Sequence, residues 1–222
     1  MTVYESLVAL PGGLPSDLYQ EHQAVWRVAA SVAANGSEFL YSVETAADAN
    51  LVRLRSLGKL WGGARVALPP AGRLAVRMVC ATWSGEIAIP VPDDAVDEWF
   101  VRRMARLGFD TGEVSASALR FTEGRKREHL IRIPVREIAC SFVVADAIAA
   151  SEAFRHGVGR AKRFGCGMLR VVDTDPVQVA SKLPSHHASV LRTFCTPVKS
   201  DRGADSHCTQ TAHTATVLKL RS

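Results

Sequence analysis

Apolar and polar residues follow strand-like and helix-like spacings through the first part of the chain. Residues 3–10 alternate weakly, which predicts a strand, and a Pro- and Gly-rich stretch then interrupts the pattern. Ser16 or Asp17 can cap a helix that ends just before Asn35-Gly36. The stripe expected along one side of this helix consists of Leu18, His22, Val25, Ala29 and Val32.

The rest of the chain divides into short β-type segments and two more helices. Helices are predicted over 95–107, where Gly108 stops the pattern, and from a cap at Asp146 to about His156. The Gly- and Pro-rich stretch 58–70 predicts a connection. Strands are predicted over residues 39–43, 51–57, 74–82, 87–89, 114–121, 130–144 and 168–172.

This order of elements predicts an α+β fold of two ferredoxin-like (RRM-like) β-α-β-β-α-β domains in tandem. The first domain, over residues 1–70, shows no obvious second helix, whereas the second, over 71–172, shows the full cycle. Residues 173–222 are rich in Ser, Thr and His and have little periodicity, which predicts a disordered or loosely attached tail.

Charge is unevenly distributed along the chain, although the net charge is only +5. Residues 101–172 hold 14 Lys or Arg against 7 Asp or Glu, whereas residues 1–100 hold 7 against 11. A localised basic field suits a polyanion such as RNA, and a solvated basic face is the alternative.

The sequence also bears on the compartment. There is no run of about 18 apolar residues that would predict a membrane span, so no membrane partner is expected. Residues 1–10 lack the pattern of a secretory signal. The five cysteines are scattered and odd in number, which favours reduced thiols in a cytoplasmic protein.

Tyr19 and His22 lie one turn apart on the first predicted helix and share a face with Trp26. A histidine on an amphipathic helix is most often a packed or surface residue. Two groups that can move or share protons nevertheless suit cleavage of RNA by its own 2′-hydroxyl, in which one group removes the 2′-OH proton and another assists the leaving 5′-oxygen. A nearby cation would offset the charge on the phosphorane.

Glycines and cations alternate between the last predicted helix and the last strand. Glycine lets the backbone approach a ligand closely, and exposed N–H groups beside cations can form a phosphate cradle. The stretch lacks the Gly-Lys-Ser/Thr ending of a P-loop and does not open a helix after a strand. It therefore favours an RNA backbone over a nucleotide, with ordinary turns as the alternative. The residues are Gly157, Gly159, Arg160, Lys162, Arg163, Gly165 and Gly167.

Two further groups of cations are candidates for RNA contact. Arg102 and Arg106 share a face of the second predicted helix, where a solubilising surface is the alternative. The triplet Arg125-Lys126-Arg127 follows a glycine in a predicted hairpin or loop. No regular Cys/His spacing or carboxylate pair stands out, so neither a metal site nor another cofactor is expected.

Two motifs resemble those of the CasE family of CRISPR repeat-processing endoribonucleases. Residues 17–23, Asp-Leu-Tyr-Gln-Glu-His-Gln, resemble the Leu-Tyr-x-x-His-Gln pattern of the family's first helix, and residues 39–44 resemble the strand after it. Residues 157–169 resemble its late glycine-rich motif, with Gly-x-Gly-x-Ala-Lys and Gly-Cys-Gly. The resemblance covers residues 1 to about 172.

The resemblance implies two ferredoxin-like domains and metal-independent cleavage of a CRISPR repeat stem-loop at the 3′ base of its stem. The products would carry a 2′,3′-cyclic phosphate, or its opened form, and a 5′-hydroxyl. His22 would be the catalytic histidine, Tyr19 its helper and Lys162 the lysine of the glycine loop. The hairpin near residues 125–127 would insert toward the groove of the stem.

The implied partners are the precursor crRNA, the crRNA repeat hairpin and the other subunits of a type I-E Cascade complex, in which the enzyme stays on its product. A non-catalytic subunit that binds the same hairpin on the same fold is the alternative. An unrelated ferredoxin-like interaction or small-ligand module is a third and weaker interpretation.

Overall fold

The computed structural model describes residues 2–10, 15–32, 39–46, 49–60, 62–85 and 87–172. The predicted tail over 173–222 and the predicted helix end at Asn35-Gly36 lie outside the described residues. The division of the chain at residue 70 stays a prediction.

The first ferredoxin-like domain is a four-stranded antiparallel sheet with one described helix. Its strand order, β2-β3-β1-β4, is that of a β-α-β-β-α-β unit, although a short connection stands where a second helix would cross from β3 to β4. The elements are β1 (Thr2–Ala9), α1 (Leu18–Val32), β2 (Phe39–Ala46), β3 (Ala49–Ser56) and β4 (Ala64–Ala67).

The strand β4 corrects the prediction that residues 58–70 form only a connection. Val3 of β1 pairs with Val66 of β4 in antiparallel register. The side chains of β4 are mostly exposed, so the sequence shows no alternating pattern there. Residues 64–67 therefore form a strand because they pair with β1, and not because of their own sequence pattern.

The second domain has the full ferredoxin-like order, β11-β5-β10-β8. The strand β9 pairs with the first half of the long strand β10 and forms a hairpin beyond the main sheet, while β6 and β7 form a separate hairpin. The elements are β5 (Ala71–Val79), β6 (Ala81–Ser84), β7 (Ile87–Pro90), α2 (Val96–Ala105), β8 (Phe109–Ala116), β9 (Arg120–Lys126), β10 (His129–Val144), α3 (Ala147–His156) and β11 (Arg170–Val172).

The core of this domain lies between its sheet and helices α2 and α3. Phe100 and Met104 of α2 are buried with Phe154 of α3 against the sheet. Asp146 caps α3 as predicted, because its carboxylate accepts the backbone N–H groups of Ile148 and Ala149. The tandem ferredoxin-like fold is thus confirmed.

Arg55 of β3 connects the two domains. Its side chain is buried, and its Nη2 donates to Glu5 Oε1 over 2.5 Å and to the Leu169 carbonyl over 2.7 Å. Its Nη1 donates to the Phe154 carbonyl over 2.6 Å, in the last turn of α3. That carbonyl has no partner within the helix, and the end of a helix favours a cation. Arg55 therefore holds the chain on both sides of the glycine loop, residues 157–168.

Candidate nucleic-acid site

Asp17 fixes the beginning of α1 and joins it to the β9–β10 hairpin. Its Oδ1 accepts the backbone N–H groups of Tyr19 and Gln20, each over 2.9 Å, and its Oδ2 accepts that of Arg125 over 2.8 Å. These hydrogen bonds, led by that from Gln20, lower the pKa of Asp17. Gly124 allows the close approach, because a Cβ there would lie 2.7 Å from the Tyr19 nitrogen. The cationic β9–β10 hairpin therefore contacts the helix that carries His22.

His22 lies half-buried at the edge of the buried side of α1. Glu21, and not His22, occupies the buried position between Leu18 and Val25, so the predicted stripe was wrong at this residue. The His22 ring is edge-on to the Phe164 ring, with 5.8 Å between centroids. The Tyr19 ring centroid is 6.5 Å from that of His22. His22 thus faces the glycine loop, which contributes Phe164, and Tyr19 lies beside His22.

The surroundings of His22 favour a neutral imidazole. Burial lowers the pKa of His22, and the nearby Arg163 charge lowers it further, while a backbone hydrogen bond with Arg163 works in the opposite direction. The Nδ1 atom is shielded from solvent and has no hydrogen-bond partner among the described residues.

His22 lines a cavity of about 450 Å³ between α1, β2 and the glycine loop. The part of its lining that the structure describes carries cations and no carboxylate: His22, Trp26, Phe39, Leu40, Tyr41, Arg55, Ser56, Leu57, Arg155, His156, Lys162 and Arg163. Arg55 and Arg155 have acidic partners, Glu5 and Glu152, outside the cavity lining. The cations of the glycine loop remain available to an anion beside His22.

A larger groove of about 750 Å³ lies elsewhere and has a different charge pattern. Its acidic residues Glu44 and Glu137 face its basic residues Arg53 and Arg170. Arg53 Nε lies 2.6 Å from Glu44, and Arg170 lies 3.5 Å from Glu137. Because these charges neutralise one another, this groove is a weaker candidate for a polyanion than the smaller cavity.

Three of the four loop glycines are required by packing. A Cβ at Gly165, where φ is +70°, would lie 2.8 Å from the Tyr41 ring. A Cβ at Gly167 would collide with the Val158 carbonyl, and one at Gly157 would lie 2.9 Å from Leu40. These three glycines are buried, so they shape the loop against itself and β2. Their contact with RNA stays a prediction, and the exposed loop cations are better placed for it.

A buried acid supports α1 behind the cavity. Glu21 accepts a hydrogen bond of 3.3 Å from the Tyr41 hydroxyl, and the Tyr41 ring in turn contacts the loop at Gly165. Burial raises the pKa of Glu21, with the Arg77 charge opposing it. Burial and the neighbouring Glu21 also raise the pKa of Tyr41. This pair links α1 to the glycine loop through β2.

The remaining predicted cations divide into two groups. Lys126 at the hairpin tip lies with its Nζ 5.9 Å from the Tyr19 ring centroid, so the hairpin borders the candidate site. Arg102 on α2 and Arg106, which directly follows α2, are exposed and line neither of the two described cavities that include His22. Arg102 instead pairs with Glu98 over 2.9 Å. The structure therefore brings the hairpin and the loop to His22 but leaves the α2 arginines farther along the surface.

Sequence reasoning missed the cavity residues Arg55, Arg155 and His156, as well as the Glu21–Tyr41 pair. One available signal was an acid at a helical position flanked by apolar residues, which marks Glu21. Arg55 offered a second signal, a cation within a predicted strand. Their partners are distant in sequence, so only the fold identifies them.

The described residues form neither a candidate metal site nor a membrane-spanning helix. They contain no group of three or more His, Cys, Asp or Glu side chains arranged to hold a metal ion. Within the same part of the chain, no helix is long and apolar enough to cross a membrane.

The fold and this site together define a tandem ferredoxin-like protein with a cationic cavity around a histidine. Residues 76–172 match the model of the family described as CRISPR associated protein. A comparison with curated proteins finds no match.

Solved structures of similar fold cover 77–78% of this chain. Cse3 of Thermus thermophilus, bound to an RNA representing a pre-cleavage complex, has a TM-score of 0.62 and 18% identity over 78% of this chain and 100% of that one. Cas6e of Escherichia coli str. K-12 has a TM-score of 0.56 and 17% identity over 78% and 100%. A chain of a CRISPR RNA-guided surveillance complex has a TM-score of 0.58 and 18% identity over 77% and 100%. The match to the family model over residues 76–172 and the shared fold agree with the resemblance to the CasE family drawn from the two motifs.

Proposed function

We propose that this protein is a metal-independent endoribonuclease that cuts CRISPR repeat stem-loops in precursor crRNA and remains on the crRNA hairpin. It would do so in the cytoplasm as a subunit of a Cascade-type complex. The observation that carries the proposal is the meeting of His22 with Lys162 and Arg163 around one cavity whose described lining has no carboxylate, with the Tyr19 ring centroid 6.5 Å from that of His22.

In the proposed reaction the RNA supplies its own nucleophile. The 2′-hydroxyl gives up its proton and its oxygen bonds to the adjacent phosphorus, while the bond from phosphorus to the 5′-oxygen breaks. The leaving 5′-oxygen takes up a proton, so the products carry a 2′,3′-cyclic phosphate and a 5′-hydroxyl. A neutral imidazole can accept the first proton, and the lowered pKa of His22 supports this role.

Three further groups would assist the same step. Lys162 and Arg163 would offset the negative charge on the phosphorane. Tyr19 would stand beside the imidazole as a hydrogen-bond donor or proton carrier. The hairpin residues Arg125, Lys126 and Arg127 would hold the stem, because the hairpin is fixed to the start of α1.

The experiment compares His22→Ala with His156→Ala, which alters the other histidine of the same cavity. A labelled repeat stem-loop is incubated with each protein in EDTA, and binding is measured on an RNA whose cleavage-site 2′-hydroxyl is replaced by hydrogen. We expect His22→Ala to lose at least about 100-fold in cutting rate, as for loss of a general acid or base, and to keep its affinity. His156→Ala should cut normally.

Undiminished cutting by His22→Ala would remove this residue from the mechanism. Cutting that stops in EDTA and returns with a divalent metal would contradict metal independence. Tight binding by the unaltered protein without any cutting would favour the alternative, a non-catalytic hairpin-binding subunit on the same fold.

A further inference from the structure

The β6–β7 hairpin places an exposed tryptophan beside the glycine loop. The hairpin is attached to the loop through a small apolar cluster, in which Ala81 and Cys166 are buried and Ala88 and Ala161 pack against them. Trp83 is 39% exposed, and the guanidinium carbon of Arg160 lies 4.0 Å from its ring centroid. Tryptophan and arginine thus form a stacked pair at the surface, and Arg160 belongs to the loop that also carries Lys162.

Positive charge with no carboxylate partner among the described residues lies close to this pair. Arg103 of α2 lies under the loop, 3.4 Å from where a Cβ on Gly159 would be, and its Nε is buried without a hydrogen-bond partner. Burial lowers the pKa of Arg103, and the charge of Arg106 adds to the effect, so two guanidinium groups repel each other there. No ion pair with a carboxylate is found for Arg103, Arg106 or Arg160 in the described ranges. An anion placed near Gly159 would relieve this repulsion.

We propose that Trp83 and Arg160 form a stacking subsite for one unpaired nucleotide of the RNA, with Arg103 attracting its phosphate. Bases stack on aromatic rings and on arginine planes, and unpaired nucleotides expose the faces needed for this. The inference rests on the proposed function and adds to it a binding site for the single-stranded RNA that flanks the stem. Ile87 and Ile89 also expose apolar surface on this hairpin, but the arginines favour a nucleotide over a protein partner.

The test measures the affinity of the full chain for three repeat RNAs that cannot be cut, because the cleavage-site 2′-hydroxyl is replaced by hydrogen. One ends flush with its stem, one carries four unpaired nucleotides on the 5′ side, and one carries four on the 3′ side. Trp83→Leu is compared with Ile89→Ala, an exposed position on the same hairpin. Thermal melting by circular dichroism establishes that each variant is folded.

We expect Trp83→Leu to weaken binding of one flanked RNA by about five- to 100-fold, the range for loss of one stacked base. The flush RNA should bind as it does to the unaltered protein, and Ile89→Ala should bind all three normally. Trp83→Phe should recover most of the affinity, because it keeps an aromatic face.

Other outcomes overturn the inference. Unchanged affinity of Trp83→Leu for all three RNAs would leave the hairpin free for a protein partner and remove the stacking subsite. An equal loss for flanked and flush RNAs, or an equal effect of Ile89→Ala, would show a general perturbation of the hairpin. If the unaltered protein bound none of the three RNAs, the proposed function would fail together with the stacking subsite. The measurements on the unaltered protein therefore distinguish failure of the proposed function from failure of the subsite alone.

Discussion

Replacing Arg55 by Met removes the cation that joins the two domains while keeping a flexible apolar side chain of similar length. The change leaves the carbonyls of Phe154 and Leu169 without their present donor. Hydrogen bonds from a charged donor contribute about 1.5–3 kcal/mol each, so losing two costs about 3–6 kcal/mol. Glu5 keeps Arg53 as a second partner, 3.2 Å away, and the Met side chain recovers some packing. We therefore expect Arg55→Met to lower the free energy of unfolding by about 3–5 kcal/mol.

The assay is urea unfolding followed by circular dichroism, with thermal melting in parallel. For a chain of this size, a loss of about 3–5 kcal/mol corresponds to a fall in Tm of roughly 6–20 °C. Arg102→Met is the matched control, because Arg102 is exposed and its pair with Glu98 on α2 contributes about 0.5 kcal/mol or less.

A second measurement concerns the loop, since Arg55 contacts the chain on both sides of it. At a temperature where the variant is folded, Arg55→Met should bind a repeat stem-loop more weakly than Arg102→Met. The reasoning is refuted if Arg55→Met costs less than about 1 kcal/mol or has the same effect as the control.

Four further predictions follow from the same geometry. The cutting rate should rise with pH through a pKa below the ordinary value of 6.5 if His22 is the base, whereas a rate that falls over that range would contradict this role. Lys162→Glu should weaken binding to all RNA sequences and flatten the dependence of affinity on salt; loss for one sequence only would contradict a phosphate contact. Gly165→Ala should destabilise the fold by about 2–4 kcal/mol in urea unfolding, and the control Gly85→Ala by only about 1–2 kcal/mol. Both glycines have positive φ, but a Cβ at Gly85 meets no atom within 4 Å, whereas one at Gly165 meets the Tyr41 ring. Equal effects would exclude the Tyr41 contact as the cause. Because the folded-state pKa of Glu21 is raised, the stability that its carboxyl contributes is fully present below the unfolded pKa near 4.5 and is lost as the pH rises through the folded pKa. Glu21→Gln should therefore melt at an equal or higher temperature than the unaltered protein at pH 7 and lose this advantage near pH 4. A lower Tm of the variant at pH 7 would show that attraction to Arg77 outweighs burial.

Local patterns predicted the parts of the fold that local interactions define. The cap at Asp17 satisfies backbone N–H groups of its own helix, and the cap at Asp146 does the same, so both could be recognised from residue type and position. The facing of Tyr19 and His22 followed from helical spacing alone. These features need no knowledge of the partner segments.

Features defined by distant partners could not be predicted in this way. The strand β4 has no apolar alternation of its own and exists through its pairing with β1. The buried position of Glu21 depends on Tyr41, 20 residues away, and that of Arg55 on carbonyls 99 and 114 residues away. A charged residue at a core position is recognised as structural only when the group that compensates its burial is known.

The same distant contacts change the interpretation of the glycine loop. Gly167 donates its N–H to the Arg77 carbonyl over 2.6 Å, Gly165 lies against the Tyr41 ring, and Arg55 holds the chain on either side. Lys162 lies between these fixed points, so its backbone is placed before any RNA arrives. A preformed site loses less conformational entropy on binding than a loop that must be ordered. Packing therefore explains why glycine is needed in this loop, and the cations that the packing presents to the His22 cavity explain how the loop would bind a phosphate.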